Sequence, residues 1–317
     1  MIRRYLPLLA TLALLVIGYV ICAFEFKNFL SFRVIGNLLT DNAFLGITAV
    51  GMTFAVISGG IDLSVGSVIA FTTILIAVLV QWYGVHPLAA FAVALAVGAL
   101  IGAGMGSIIH YLRLPPFIVT LTGMFLIRGI SFQISTESIG IDHEFYATLT
   151  DFGLRIGRGK LSLLAMIMLA VVAAGTVLLH RMRFGANVYA IGGNIASAKL
   201  MGVPVPSTTV RIYMLSSTLA ALAGIVFSLY TTAGNSLNCV GVELDAIASV
   251  VIGGTLLTGG YGFMVGTLAG VLLQGLIQTF ITFDGTLSSW WTKIIIGILL
   301  FSFILLQRLI TKFGQKK

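Results

Sequence analysis

Asp62 and Ser64 are the most conspicuous residues of this chain, a carboxylate and a hydroxyl set in a long apolar stretch just after Gly59-Gly60. A carboxylate at membrane depth is costly and usually functional; beside a glycine break it could also cap the helix that follows. Glycine leaves helical geometry at the least steric cost, and the peptide groups freed there must be buried in protein or face a wet cavity. The arrangement recurs: Ser58-Gly59-Gly60 with Val65-Gly66-Ser67 matches Thr258-Gly259-Gly260 with Val265-Gly266-Thr267. Each copy separates a short apolar segment from a full one. They read as an internal repeat with broken helices near a pathway, either parallel or inverted. Gly59, Gly60, Asp62, Ser64, Gly259 and Gly260 are therefore the candidate residues of a translocation path.

The other charges in apolar runs have blander readings. Arg128 and Lys293 are expected to snorkel or to pair locally. Glu243 and Asp245 open an apolar segment, where a helix N-terminus favours negative charge. The steps Gly98–Gly102 and Gly266–Gly270 read as helix-packing faces.

Catalytic chemistry is not encoded in any familiar pattern. No G-x-x-x-x-G-K-[ST] phosphate loop, His-Glu-x-x-His pair, metal-spaced cysteine pair or nucleophile elbow occurs. Cys22 and Cys239 each lie in or beside an apolar segment and make neither a disulfide framework nor a zinc site. No enzyme activity, cofactor or metal is expected, and no chain of acidic residues suggests ion coupling. Energy for uphill movement would come from another chain.

Positioning these residues requires membrane spans. Of 317 residues, 58% are hydrophobic and 9% charged, against roughly 25% charged in soluble domains. The surface must therefore face lipid. The net charge of +8 is dispersed among loops rather than gathered into a basic stripe, which argues against nucleic acid. Ten segments approach bilayer length: Tyr5–Phe24, Asn42–Ser58, Leu63–Tyr83, Pro87–His110, Pro115–Ile134, Leu161–His180, Val210–Thr232, Leu244–Leu257, Gly262–Phe283 and Trp290–Gln307. The second and eighth are short. The expectation is an all-α polytopic membrane protein, one transmembrane domain over 1–317, with about ten segments including broken or short helices.

Charge asymmetry sets the orientation. With both termini inside, the inner side carries Arg3, Arg4, Arg113, Arg181, Arg183, Lys199, Arg211, Arg308, Lys312, Lys316 and Lys317. The outer side keeps Lys27, Arg33, Arg155, Arg158 and Lys160 together with most of the acids. That is the positive-inside pattern. The inner loop 181–211 is long and basic and lacks any acid, and loops of that length usually have a role. The polar stretch 135–160 faces outward, as a solvated connector or as a receiver for an extracellular partner.

Three strings now stand in order: SGGIDLSVGS at 58–67, RFGANVYAIGGNIASAKLMGV at 183–203 and ELDAIASVVIGGTLLTGG at 243–260. Together they resemble the permease subunits of ribose-type sugar ABC importers, over nearly the whole chain. DNAFLGITAVGMTF, RIYMLSS and FDGTLSSWWTKI look most similar to permeases for galactofuranose. The resemblance implies a multi-pass bacterial inner-membrane protein with cytoplasmic termini. Its partners would be a cytoplasmic ABC ATPase, a second permease subunit (identical or different) and a periplasmic sugar-binding protein. It also implies that the loop docks on the ATPase through Arg183, Gly185, Gly192, Asn194, Ala196, Ala198 and Gly202. One residue departs from the pattern: many relatives carry Glu where this chain has Ile195. The rival readings are a branched-chain amino-acid ABC permease and an ion-coupled sugar carrier working alone.

Overall fold

The computed structural model describes residues 2–27, 29–157, 159–288 and 290–314. Arg158, Lys316 and Lys317, counted above for orientation, lie outside the described residues, as do the side chains of Arg3, Arg4, Arg308 and Lys312. The chain begins with α1 (Ile2–Glu25), α2 (Phe32–Asp41), α3 (Ala43–Ile57), α4 (Val65–Gln81), α5 (Pro87–Tyr111) and α6 (Pro116–Ile134). A short-element region follows, β1 (Ile139–Gly140), α7 (Glu144–Asp151), β2 (Gly153–Ile156) and β3 (Gly159–Ser162). Next come α8 (Leu163–His180), α9 (Arg183–Gly193), α10 (Ile195–Leu200) and α11 (Val205–Thr231). The last part holds β4 (Ala233–Gly234), α12 (Val242–Ile252), α13 (Met264–Asp284) and α14 (Trp290–Gly314).

Local chemistry sets many of the helix boundaries. Proline begins α5 and α6, where its missing N–H costs nothing. Ser162 caps α8 by accepting from Ala165 N–H at 3.2 Å. Thr232 and Gly285 end α11 and α13 in the left-handed conformation.

Among the described residues, six helices are long and apolar enough to cross a membrane: Pro7–Glu25, Pro87–Tyr111, Pro116–Ile134, Leu163–His180, Val205–Thr231 and Met264–Asp284. A seventh span arises if α2 and α3, bent by 55° at their break, count as one. Ten spans were expected, and the shortfall has a physical reason. Asn42 interrupts the α2–α3 pair, the glycine turns cut α3 and α12 to 15 and 11 residues, and α4 has 17. These helices are walled by protein, so they need not match the bilayer. Fourteen residues of α3 are buried, as expected of a helix apolar on every side.

Around α3 stand α8, α9, α11, α12 and α13. Gly98, Gly102 and Gly106, one turn apart on α5, seat it against the backbone of α11, where any side chain would collide. Gly266 and Gly270 do the same for α13 on α12. Only 17%, 28% and 22% of the most apolar stretches of α1, α5 and α6 are buried, the lowest shares among the six long helices.

The polar stretch 135–160 is not a bare connector. β2 and β3 form an antiparallel hairpin with Arg155 opposite Lys160, and β3 lies on α2. β1 pairs antiparallel with β4, joining residues 139–140 to 233–234. Neither pair was expected of an all-α fold. The Tyr146 hydroxyl is 3.1 Å from that of Ser228 and anchors α7 on α11.

Candidate functional site

The two Gly-Gly turns meet. Gly60 N–H donates to Ala55 C=O at 2.9 Å, and Gly260 N–H donates to Ile57 C=O at 2.8 Å. Gly59, Gly259 and Gly260 have φ of +85°, +82° and +75°, which side chains rarely adopt. α3 and α12 both arrive at this point, and α4 and α13 both leave it. Higher in the bundle the Thr53 and Thr267 hydroxyls, from α3 and α13, pair at 2.8 Å.

The third partner at this junction is α9. Gly192 lies directly over Ile57 C=O, so close that a Cβ would overlap the oxygen. The Tyr189 hydroxyl donates to Gly262 C=O at 2.6 Å, and the Phe184 and Phe54 rings stand 5.8 Å apart. Through Gly192, the docking segment and the two pairs of path glycines, far apart in the chain, are thus one structural unit at one end of the bundle.

Asp62 is fully buried beside that unit. One carboxylate oxygen accepts from the Ser64 N–H at 3.0 Å and from the Ser64 hydroxyl at 2.6 Å. This is a local turn onto the residue preceding α4 rather than a cap on the helix's first N–H groups, a correction to the capping expectation. The carboxylate also faces the buried Ser216 hydroxyl of α11, which interacts with it from across the bundle. Thr120 of α6 bonds Ile61 C=O at 3.2 Å, and the Tyr213 hydroxyl occupies the space a side chain at Gly60 would need.

The candidate docking residues divide by the side they face. Gly185 is buried against the carbonyls of Leu178 and Leu179, and Ala198 packs with Ile191 and Val205, so both face the bundle. Asn194 accepts from Ser197 N–H at 2.9 Å and caps α10. Arg183, Ala196 and Gly202 are exposed, Gly202 with φ +79° and open space around it. Three apolar side chains share this surface: Leu200 is 90% exposed, Met201 71% and Ile195 56%. The residue that departs from the family pattern therefore belongs to an apolar ridge.

A separate cavity of about 720 Å³ opens near the other end, between α2, α12, α13 and α14. Its walls include Asn37, Asp41, Gln274, Gln278, Thr282 and Trp290. Lys293 and Asp245, which also line it, form an ion pair at 2.6 Å. Gln274 donates to Asp245 C=O at 3.1 Å, and the Tyr230 hydroxyl donates to Asp41 at 3.2 Å. Apart from this ion pair, which the local-pairing reading of Lys293 anticipates, the sequence reading passed over these residues. The available signal was their spacing of four, 274–278–282 on α13 and 37–41 on α2, which puts each set on one helix face. None of the six path candidates lines this cavity. Among the described residues no cluster of three or more His, Cys, Asp or Glu could hold a metal.

Comparison with known proteins fits this geometry. The chain is 61% identical to the inner membrane ABC transporter permease protein YjfF of Escherichia coli, over all of this chain and 96% of that one. It is 38% identical to the fructose import permease protein FruG of Bifidobacterium longum, covering 99% and 94%. Identity to the ribose import permease protein RbsC of Escherichia coli is 37%, covering 93% and 92%. No solved structure matches. These relatives are transport components rather than enzymes. Residues 34–304 match the family model described as branched-chain amino acid transport system / permease component, and the chain belongs to that family of ABC permeases.

Proposed function

We propose that this chain is the membrane-spanning subunit of an ATP-driven importer that moves a monosaccharide, galactofuranose by resemblance, across the bacterial inner membrane. The observation that carries the reading is the apolar ridge of Ile195, Leu200 and Met201 on and just after α10, which packs on α9, the helix seated on the glycine junction. A ridge so exposed beyond the bundle suits a protein partner, and its seat lets a partner's motion reach α3 and α13 by rigid-body shift. The partners are a cytoplasmic ABC ATPase, a periplasmic sugar-binding protein and a second permease subunit. In this reading α3, α4, α12 and α14 complete ten crossings and both termini are cytoplasmic. Arg183, Asn194, Ala196 and Gly202 meet the ATPase, while Gly185, Gly192 and Ala198 hold the docking helices to the bundle. Gly59, Gly60, Asp62, Ser64, Gly259 and Gly260 transmit movement at the inner end of the path.

The family description names amino acids, whereas the relatives FruG and RbsC are named for sugars and match almost end to end. Sugar is therefore the favoured cargo. The test is reconstitution of the chain with its ATPase and binding protein in proteoliposomes. ATP-dependent uptake of labelled D-galactose, whose solutions contain the furanose form, supports the reading. Uptake of leucine instead would redirect it to amino acids. Sugar accumulation by this chain alone on an ion gradient would overturn it.

A further inference from the structure

The cavity between α2, α12, α13 and α14 carries polar side chains on its walls that are left exposed rather than packed. Gln278 and Thr282 are exposed on α13, and Asn37 and Asp41 are exposed on α2. On a helix that only packed against lipid or apolar neighbours, these positions would be aliphatic. Amide side chains both donate and accept hydrogen bonds, and a carboxylate accepts several. A ligand that suits them carries many hydroxyls and no charge.

Size and charge narrow the class further. About 720 Å³ lies within the range of small-molecule sites. The charged residues in the lining are Asp41, Asp245 and Lys293, which leave one net negative charge. That balance disfavours a phosphate or carboxylate ligand. Trp290, exposed on the rim, adds a flat apolar face beside the polar groups. The Asp245–Lys293 pair ties α12 to α14 across one side.

We propose that this cavity holds an uncharged monosaccharide on its way through the protein, bound by Asn37, Asp41, Gln278 and Thr282 with Trp290 along one face. The assignment rests on the sugar-permease reading above and adds to it a site distant from both glycine turns. The cavity accounts for polar residues that neither the docking ridge nor the glycine junction uses.

The test uses the complete reconstituted importer with Cys22→Ala and Cys239→Ala, into which Gln278→Cys or Thr282→Cys is placed. The membrane-impermeant cation MTSET is added from the binding-protein side, with D-galactose uptake and ATP hydrolysis followed together. Both cysteines are expected to label, with uptake lost, ATP hydrolysis kept and uptake restored by dithiothreitol. D-Galactose with binding protein should slow labelling by about twofold or more, as occupancy of the site requires. Labelling without loss of uptake would put the cavity off the path, and absence of labelling at both positions would show that water does not reach it. Displacement of a tightly bound phospholipid by the label, with uptake unchanged, would assign the space to a lipid headgroup and overturn the proposal. An importer that hydrolyses ATP before labelling yet moves none of D-galactose, D-ribose or D-fructose would fail differently, sinking the sugar reading itself.

Discussion

Gly260 N–H donates to Ile57 C=O at 2.8 Å, tying the second glycine turn to the last residue of α3. The final carbonyls of a helix have no partner within it, and here a turn from a distant part of the chain supplies one. Gly192 of α9 lies over the same oxygen. Three segments thus share one point, and anything that shifts α9 must shift α3 or break that contact.

Gly192→Val puts a branched side chain onto Ile57 C=O and should cost about 1–3 kcal/mol, as overpacking does. Gly193→Ala, where nothing lies within 4 Å, is the matched control and should be neutral. Thermal unfolding in detergent reads the stability difference. Uptake in cells should fall for Gly192→Val and hold for Gly193→Ala; equal behaviour of the two would remove the junction from the account.

Leu200→Glu acts on the ridge rather than the junction. The side chain is 90% exposed, so the isolated protein should fold and insert as before. Burial of a leucine in an interface contributes roughly 1.5–3 kcal/mol, so co-purification with the ATPase subunit should weaken by about tenfold or more. Undiminished association would place the docking surface elsewhere.

Asp62 separates geometry from charge. Asp62→Asn keeps an oxygen for the Ser64 N–H and hydroxyl, so folding and uptake should both survive. Asp62→Ala leaves those donors unpaired in a buried site and should cost about 1–3 kcal/mol. A folded Asp62→Asn protein without uptake would instead mean that the carboxylate itself serves the path.

Arg128 donates to Ser236 C=O at 2.5 Å and to Asn238 C=O at 2.8 Å, clamping the segment between β4 and α12. Arg128→Ala frees both carbonyls. Alkylation of Cys239 by N-ethylmaleimide should then accelerate by about tenfold, a local opening easier by ~1.4 kcal/mol. The buried Cys22 serves as internal reference. An unchanged rate would show that the segment holds itself.

The glycine turns were legible because Gly59-Gly60 and Gly259-Gly260 announce themselves by residue type, and the same pattern at both sites hinted that they belong together. Their contact with Gly192 was not legible, since small residues carry no sign of the side they face. For the same reason Ala198, taken as a docking residue, turns inward beside Ile191 and Val205, while Ala196 two positions earlier is exposed. Helix α2 leaves little trace in the sequence: its apolar residues are interleaved with polar ones, and it leans on β3, which is formed much later in the chain. The stripe Gln274–Gln278–Thr282 is diluted by the apolar residues around it, and its meaning depends on α2 and α14 standing opposite. The β1–β4 pair joins residues nearly a hundred apart and leaves no local trace.

The burial of α3 also constrains how the protein is made. Of its neighbours in the finished bundle, α8, α9, α11, α12 and α13 are all synthesised after it. A ribosome therefore delivers this 15-residue helix into the bilayer before most of its walls exist. The first hundred residues must hold it in a provisional place, and insertion of the second half is the step that seats it. Truncation after α8 should leave α3 accessible to lipid-phase labels that never reach it in the full chain.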